Sequence, residues 1–144
     1  MEQHRNMFFT MWYGVYERQQ GRLVYASGGH PPAILLTGAT ANDIRVVRLH
    51  TPGGLVLGYQ PGITFGSAVC ALEARSTLYL FSDGIYEIAQ PDGTVLSFDA
   101  FVGLLTRPTP SAPFALDHIV DAMRTLSDRE VFADDVSMLR ITFT

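Results

Sequence analysis

The sequence predicts an α+β fold built on a mostly antiparallel sheet. Two observations carry this. Short segments of β-favouring residues, separated by turn signals, fill the first half of the chain, and helical patterns and a last strand come only afterwards. With 144 residues, 47% apolar and 17% charged, the chain is long enough to bury one real core and is not disordered.

The elements follow in order. Met7 to Tyr16 is dense in aromatic and β-branched residues and reads as a strand. Glu17 to Gly21 is polar and ends in Gly, which marks a hairpin returning through Arg22 to Ser27. Gly28-Gly29-His30-Pro31-Pro32 interrupts pairing before an apolar strand from Ala33 to Leu36, and Arg45 to Leu49 is a further short strand. Thr51 to Gly62 is a Gly/Pro loop with an apolar centre. Ile63 to Leu72 and Thr77 to Phe81 are predicted to form a second hairpin, and Ile85 to Ile88 continues the chain. Pro91-Asp92-Gly93 is a turn. Phe98 to Thr106 is a short helix, followed by Pro108, Pro110 and Pro113. Leu116, Ile119, Val120, Met123 and Leu126 recur at helical spacing, so Ala115 to Leu126 is an amphipathic helix. Val136 to Phe143 closes the chain as a strand.

Composition excludes several functions. A net charge of −4 and scattered arginines argue against nucleic-acid binding. No lysine occurs, which removes a P-loop and Schiff-base chemistry. Cys70, the single cysteine, permits no intrachain disulfide or thiolate zinc cluster and reads as a buried structural thiol. No stretch has the length of a membrane span and no signal-peptide hydrophobic region opens the chain, so membrane insertion is not expected and a cytoplasmic setting is the default. No G-x-S-x-G occurs, and His4, His30, His50 and His118 lack metal-ligand spacing.

Two aspartate sites stand out. Asp83 lies in Ser82-Asp83-Gly84 after the run Leu78 to Phe81, and Asp134-Asp135 precedes the last strand. A carboxylate at the edge of a buried strand is costly to desolvate without a hydrogen-bond network, a cation or a metal ion, and two such sites suggest a shared hard-metal site. Gly84 permits close approach of another group, and Glu87, four residues after Asp83, reaches the same neighbourhood. If the last strand has begun at the acidic pair, alternation points the two carboxylates to opposite faces. Turns that cap local amides would use the same residues. His30 reads as a residue that satisfies nearby carbonyls, the loop Gly53 to Gly58 as packing, and the aromatic block Phe8, Phe9, Trp12, Tyr13 and Tyr16 as core and interface.

Taken together, MFFTMWYGVY (7–16), RLVYASGGHPPAILL (22–36), GGLVLGY (53–59), LYLFSDGIYE (78–87) and FADDVSMLRI (132–141) resemble the C-terminal part of SpoIIE/RsbU-type serine/threonine phosphatases, bacterial members of the metal-dependent type-2C family. The resemblance implies a type-2C-like β-sandwich of mostly antiparallel sheets flanked by helices, with residues 1–144 forming the C-terminal portion of a single domain, incomplete at the N-terminus. It implies a dinuclear Mn²⁺ or Mg²⁺ site with Asp83 and Asp134 as ligands and Gly84, Glu87 and Asp135 behind them. No catalytic residue beyond the metal ligands is assigned, and His30 takes a structural role. The implied substrate is a phosphoserine or phosphothreonine of a regulatory protein such as an anti-anti-sigma factor.

The family's acidic-pair strand and Gly-Asp loop, which carry its bridging Asp, have no counterpart before Met7. Two carboxylates fall short of six oxygen ligands, so this chain alone is expected to bind metal poorly and to turn over little. Unpaired sheet edges are expected to drive homo-oligomerisation. The rival readings are a truncated module that binds a partner without chemistry, and an unrelated α+β domain with aspartates in turns.

Overall fold

The computed structural model describes residues 8–38, 43–52, 54–107, 115–129 and 131–144. Two antiparallel sheets are stacked, and two helices cover the second sheet. The strands are β1 (Met11–Glu17), β2 (Arg22–Gly28), β3 (Ala33–Thr37), β4 (Arg45–Leu49), β5 (Ser67–Ala71), β6 (Thr77–Phe81) and β7 (Met138–Thr142). The first sheet runs β1-β2-β5 and the second β4-β3-β6-β7. Helix α1 spans Phe98–Leu105 and helix α2 spans Ala115–Leu126. The α+β sandwich expected from the sequence is therefore present.

Strands β3 and β6 explain their own composition. Each is apolar along its length because both faces are covered. Leu35 and Leu78 point into the core between the sheets, with Leu23, Tyr25 and Leu49. Ile34, Tyr79 and Phe81 point the other way, into the core under the helices, with Phe101, Ile119 and Met123. The α2 periodicity holds: Ile119 and Met123 are buried, and Leu116, Val120 and Leu126 pack against the same core. Helix α1 starts where Ser97 accepts a hydrogen bond from the Ala100 amide at 3.2 Å.

The first hairpin forms as read. β1 pairs with β2 across the tight turn Arg18–Gln20, and Gly21 takes a left-handed conformation (φ 58°). The second expected hairpin does not form. β5 pairs with β2, whereas β6 pairs with β3 and β7. The connection between them is a corner. The Leu72 amide donates to Gly21 O in the first sheet's turn, and the Arg75 amide donates to Phe143 O beyond β7. Arg75 adopts φ 67°, the only positive φ among the described non-glycine residues.

The opening strand is shorter than expected. Phe8 to Thr10 lie outside it, although Phe9 exchanges backbone hydrogen bonds with Leu57 (3.1 and 2.9 Å), and Met7 lies outside the described residues. That contact makes the Gly-rich loop a packing element, and Gly28 and Gly29 leave room for Leu57 and Val56. Gly53, Pro108, Pro110 and Pro113 also lie outside the described residues. Within the aromatic block, Trp12 stacks on Tyr25 and donates from Nε1 to Leu49 O at 3.1 Å. Phe8, Phe9, Tyr13 and Tyr16 are exposed, so of the block read as core and interface these four lie outside the core. Cys70 is half-buried against the inter-sheet core, not fully buried, and burial pushes its thiol above the ordinary value. No helix among the described residues is long and apolar enough to cross a membrane.

Candidate functional site

Strand β6 ends at buried Phe81, and the chain leaves it through Ser82 into a single turn of 3-10 helix, Asp83–Ile85. Ile85 is fully buried and anchors that turn. Asp83 is held at the surface between two anchored residues. Its carbonyl accepts from the Tyr86 and Glu87 amides, both at 3.0 Å, and its Oδ1 accepts from the Gly84 amide at 3.1 Å.

The acidic pair arrives from the other direction. Phe132 and Val136 pack against the helix-side core, and Arg124 of α2 lies over the Phe132 ring at 5.8 Å. Between those anchors Asp134 and Asp135 are exposed and line one open cleft of about 400 Å³. Asp134 Oδ1 accepts from the Asp135 amide at 2.7 Å.

Ser82 joins the two segments. Its Oγ donates to Asp135 O at 3.0 Å and accepts from the Ser137 amide at 2.9 Å, and its own amide donates to Ser137 O at 3.0 Å. Gly84 closes the junction: a Cβ on it would lie 2.5 Å from Asp135 O and 3.2 Å from Asp134 O. The fold thus brings together two acidic segments separated by some fifty residues of sequence.

Three expectations change. Asp83, Asp134, Asp135 and Glu87 are all exposed, so desolvation of a buried carboxylate is not the governing cost. β7 begins only at Met138, so strand alternation does not separate Asp134 from Asp135. Asp83 and Asp134 each bond a neighbouring amide, as turn aspartates do, and neither makes an ion pair to any arginine among the described residues.

Sequence reasoning missed Tyr86 and Ser82. Burial pushes the Tyr86 phenol up, and the Glu87 and Asp83 carboxylates add to the shift, so its ring borders both charges. The ring is held against Phe81, Phe98 and Phe101. The position of Tyr86, three residues after Asp83, was the available signal; its packing partners lie too far along the chain to be read. His30 stands apart from this site: its Nδ1 lies 2.8 Å from Pro31 O, the structural role expected.

The donor set is partly suited to a hard divalent cation. Exposed carboxylates lie on two segments whose backbones touch at Gly84, and carboxylate oxygen is the chemistry that suits Mg²⁺ or Mn²⁺. Among the described residues, however, no group of three or more His, Cys, Asp or Glu gathers to hold a metal ion.

The family described as Stage II sporulation protein E (SpoIIE) matches residues 1–144. Phosphoserine phosphatase RsbU of Bacillus subtilis is 28% identical over 129 residues, which cover 90% of this chain and 37% of that protein. The PP2C domain of SiaA from Pseudomonas aeruginosa superposes with a TM-score of 0.70 at 17% identity, over 89% of this chain and 49% of that one. The manganese-soaked phosphatase domain of SpoIIE from Bacillus subtilis gives a TM-score of 0.69 at 16% identity, over 93% and 56%. The chain therefore shares their fold and spans little more than a third of the length of RsbU.

Proposed function

Because this chain belongs to the SpoIIE family, we propose that it is a segment of a metal-dependent protein serine/threonine phosphatase. The observation that carries the reading is the junction of Ser82-Asp83-Gly84 with Asp134-Asp135, two unpaired acidic segments locked at one edge of the sandwich. Similarity to a phosphoserine phosphatase and to a domain prepared with manganese supports it.

Asp83 and Asp134 would hold Mn²⁺ or Mg²⁺. Such a metal, when bound, supplies an activated water and neutralises phosphoryl charge. The chain's own residues do the positioning. Ser82 ties the two segments, Gly84 lets them touch, and buried Ile85 and Phe132 fix each from behind. Glu87 and Asp135 add negative charge beside the ligands and would act through solvent or neighbouring groups. The substrate we propose is a phosphoserine or phosphothreonine of a regulatory protein such as an anti-anti-sigma factor; similarity to a phosphoserine phosphatase supports the phosphoserine part.

Two carboxylates supply fewer than the roughly six oxygens these ions prefer, so the 144-residue chain alone should turn over slowly. The test is Mn²⁺-dependent hydrolysis of a phosphoserine peptide, by this chain and by a longer polypeptide that contains it. Asp83→Asn and Asp134→Asn should each lower the longer protein's rate by about 100-fold or more. Unchanged rates in both variants would refute the assignment. Robust turnover by the chain alone, lost in Asp83→Asn, would show that the ligand set is already sufficient.

A further inference from the structure

Strand β6 has a second end. At Thr77, roughly 20 Å from Asp83 at about 3.3 Å per residue, a cavity of about 210 Å³ opens between the second sheet and the end of α1. Arg75, Arg107 and Arg140 line it, with Thr37, Thr77 and Thr106 among their neighbours, and among the described residues no carboxylate side chain is in the wall. The ion pairs among the described residues use other arginines: Arg22, Arg45, Arg48, Arg124 and Arg129.

Three guanidinium groups around one small cavity repel one another. The carboxyl end of α1 offers about half a negative charge, enough to favour one of them but not three. One guanidinium is short of an acceptor: Arg140 Nε is buried and has no hydrogen-bond partner among the described residues. Arg75 is held in place by its amide bond to Phe143 O in a left-handed conformation that a non-glycine residue adopts only at a cost. The corner that switches the chain between sheets thus delivers a cation to this wall.

We infer that the cavity is an anion site that takes a phosphate-type oxyanion, as free phosphate or as the phosphate of a small monoester. Guanidinium groups match tetrahedral oxyanions through paired N–H donors. The volume is below the 300 Å³ or so of ordinary small-molecule pockets, which suits a small oxyanion better than an enclosed larger ligand. The inference does not depend on the phosphatase reading, because the site lies at the opposite end of β6 from the aspartates.

Isothermal titration of the full chain with inorganic phosphate, in chelator and against chloride at equal ionic strength, tests it. Saturable binding of one phosphate per chain is expected, weakened about tenfold or more by Arg140→Gln and by Arg107→Gln. Arg107 is exposed, so that variant keeps the test valid should Arg140→Gln fail to fold. Asp83→Asn should bind phosphate as the parent does, which separates this site from the aspartates. O-phosphoserine binding as well as phosphate would identify a monoester site, and phosphate alone a free-anion site. Phosphate binding no better than chloride, or unchanged binding in both arginine variants, would overturn the inference.

Discussion

Gly84 and Ser82 determine whether the two aspartate segments meet. A methyl group at Gly84 would press on Asp135 O at 2.5 Å, against backbone that cannot swing aside. Gly84→Ala should therefore cost about 1–3 kcal/mol and displace the acidic pair, measurable by urea unfolding together with loss of turnover in the longer protein. Ser82→Ala removes the exposed hydroxyl that bridges Asp135 O and the Ser137 amide; about 0.5–1.5 kcal/mol is expected, again by urea unfolding. Tyr86 gives a pH signature. Its folded phenol holds the proton more tightly than an unfolded tyrosine does. More protons are then bound in the folded state, so its contribution is present below the unfolded value of about 10 and is lost as pH rises beyond it. Thermal unfolding of Tyr86→Phe should accordingly lose less stability than the parent across that alkaline range; identical losses would count against the shift.

Among the elements, α1 and the turn after β6 share one aromatic cluster. Phe81, Tyr86, Phe98 and Phe101 make ring contacts with centroids 4.8 to 6.4 Å apart. Phe101 is fully buried there, and Phe101→Ala should cost about 3–5 kcal/mol. Because Tyr86 caps the single turn that begins at Asp83, the same variant should loosen the acidic site, seen as weaker Mn²⁺ binding in the longer protein. Strand β1 behaves differently. It is a sheet edge, and Met11, Tyr13 and Val15 are exposed along it. An apolar edge without Lys or Pro recruits other strands.

At the scale of the whole molecule, both sheets end in open edges: β1 and β5 in one, β4 and β7 in the other. β1 and β7 flank an apolar groove of about 430 Å³ lined by Trp12, Tyr13, Tyr16, Leu80, Ile141 and Phe143. The 144-residue chain should therefore self-associate. Light scattering across concentration should report a dimer or larger species, and a monomer throughout would refute this. Arg140 interrupts the apolar run of β7, so β1 is the more adhesive edge.

Much of this protein could be read from its residues in order. The hairpin of β1 and β2, the strand Arg45–Leu49 and the helix Ala115–Leu126 fell where period and turn chemistry put them, because those signals are local. The aspartates could be picked out, but not their exposure, nor the serine and glycine that join them. The second hairpin failed for a physical reason: a tight turn between two apolar strands looks alike whether the strands pair or separate into different sheets. That choice belongs to distant partners, β2 for one strand and β3 with β7 for the other. The sequence by itself determined the element types, the α+β class and the acidic residues, since each depends on local pattern, while the sandwich was implied by the family resemblance. Only the tertiary structure decided that Ser82 and Gly84 join the Asp83 turn to Asp134-Asp135 and that three arginines share one wall, since both depend on contacts between residues far apart in the chain.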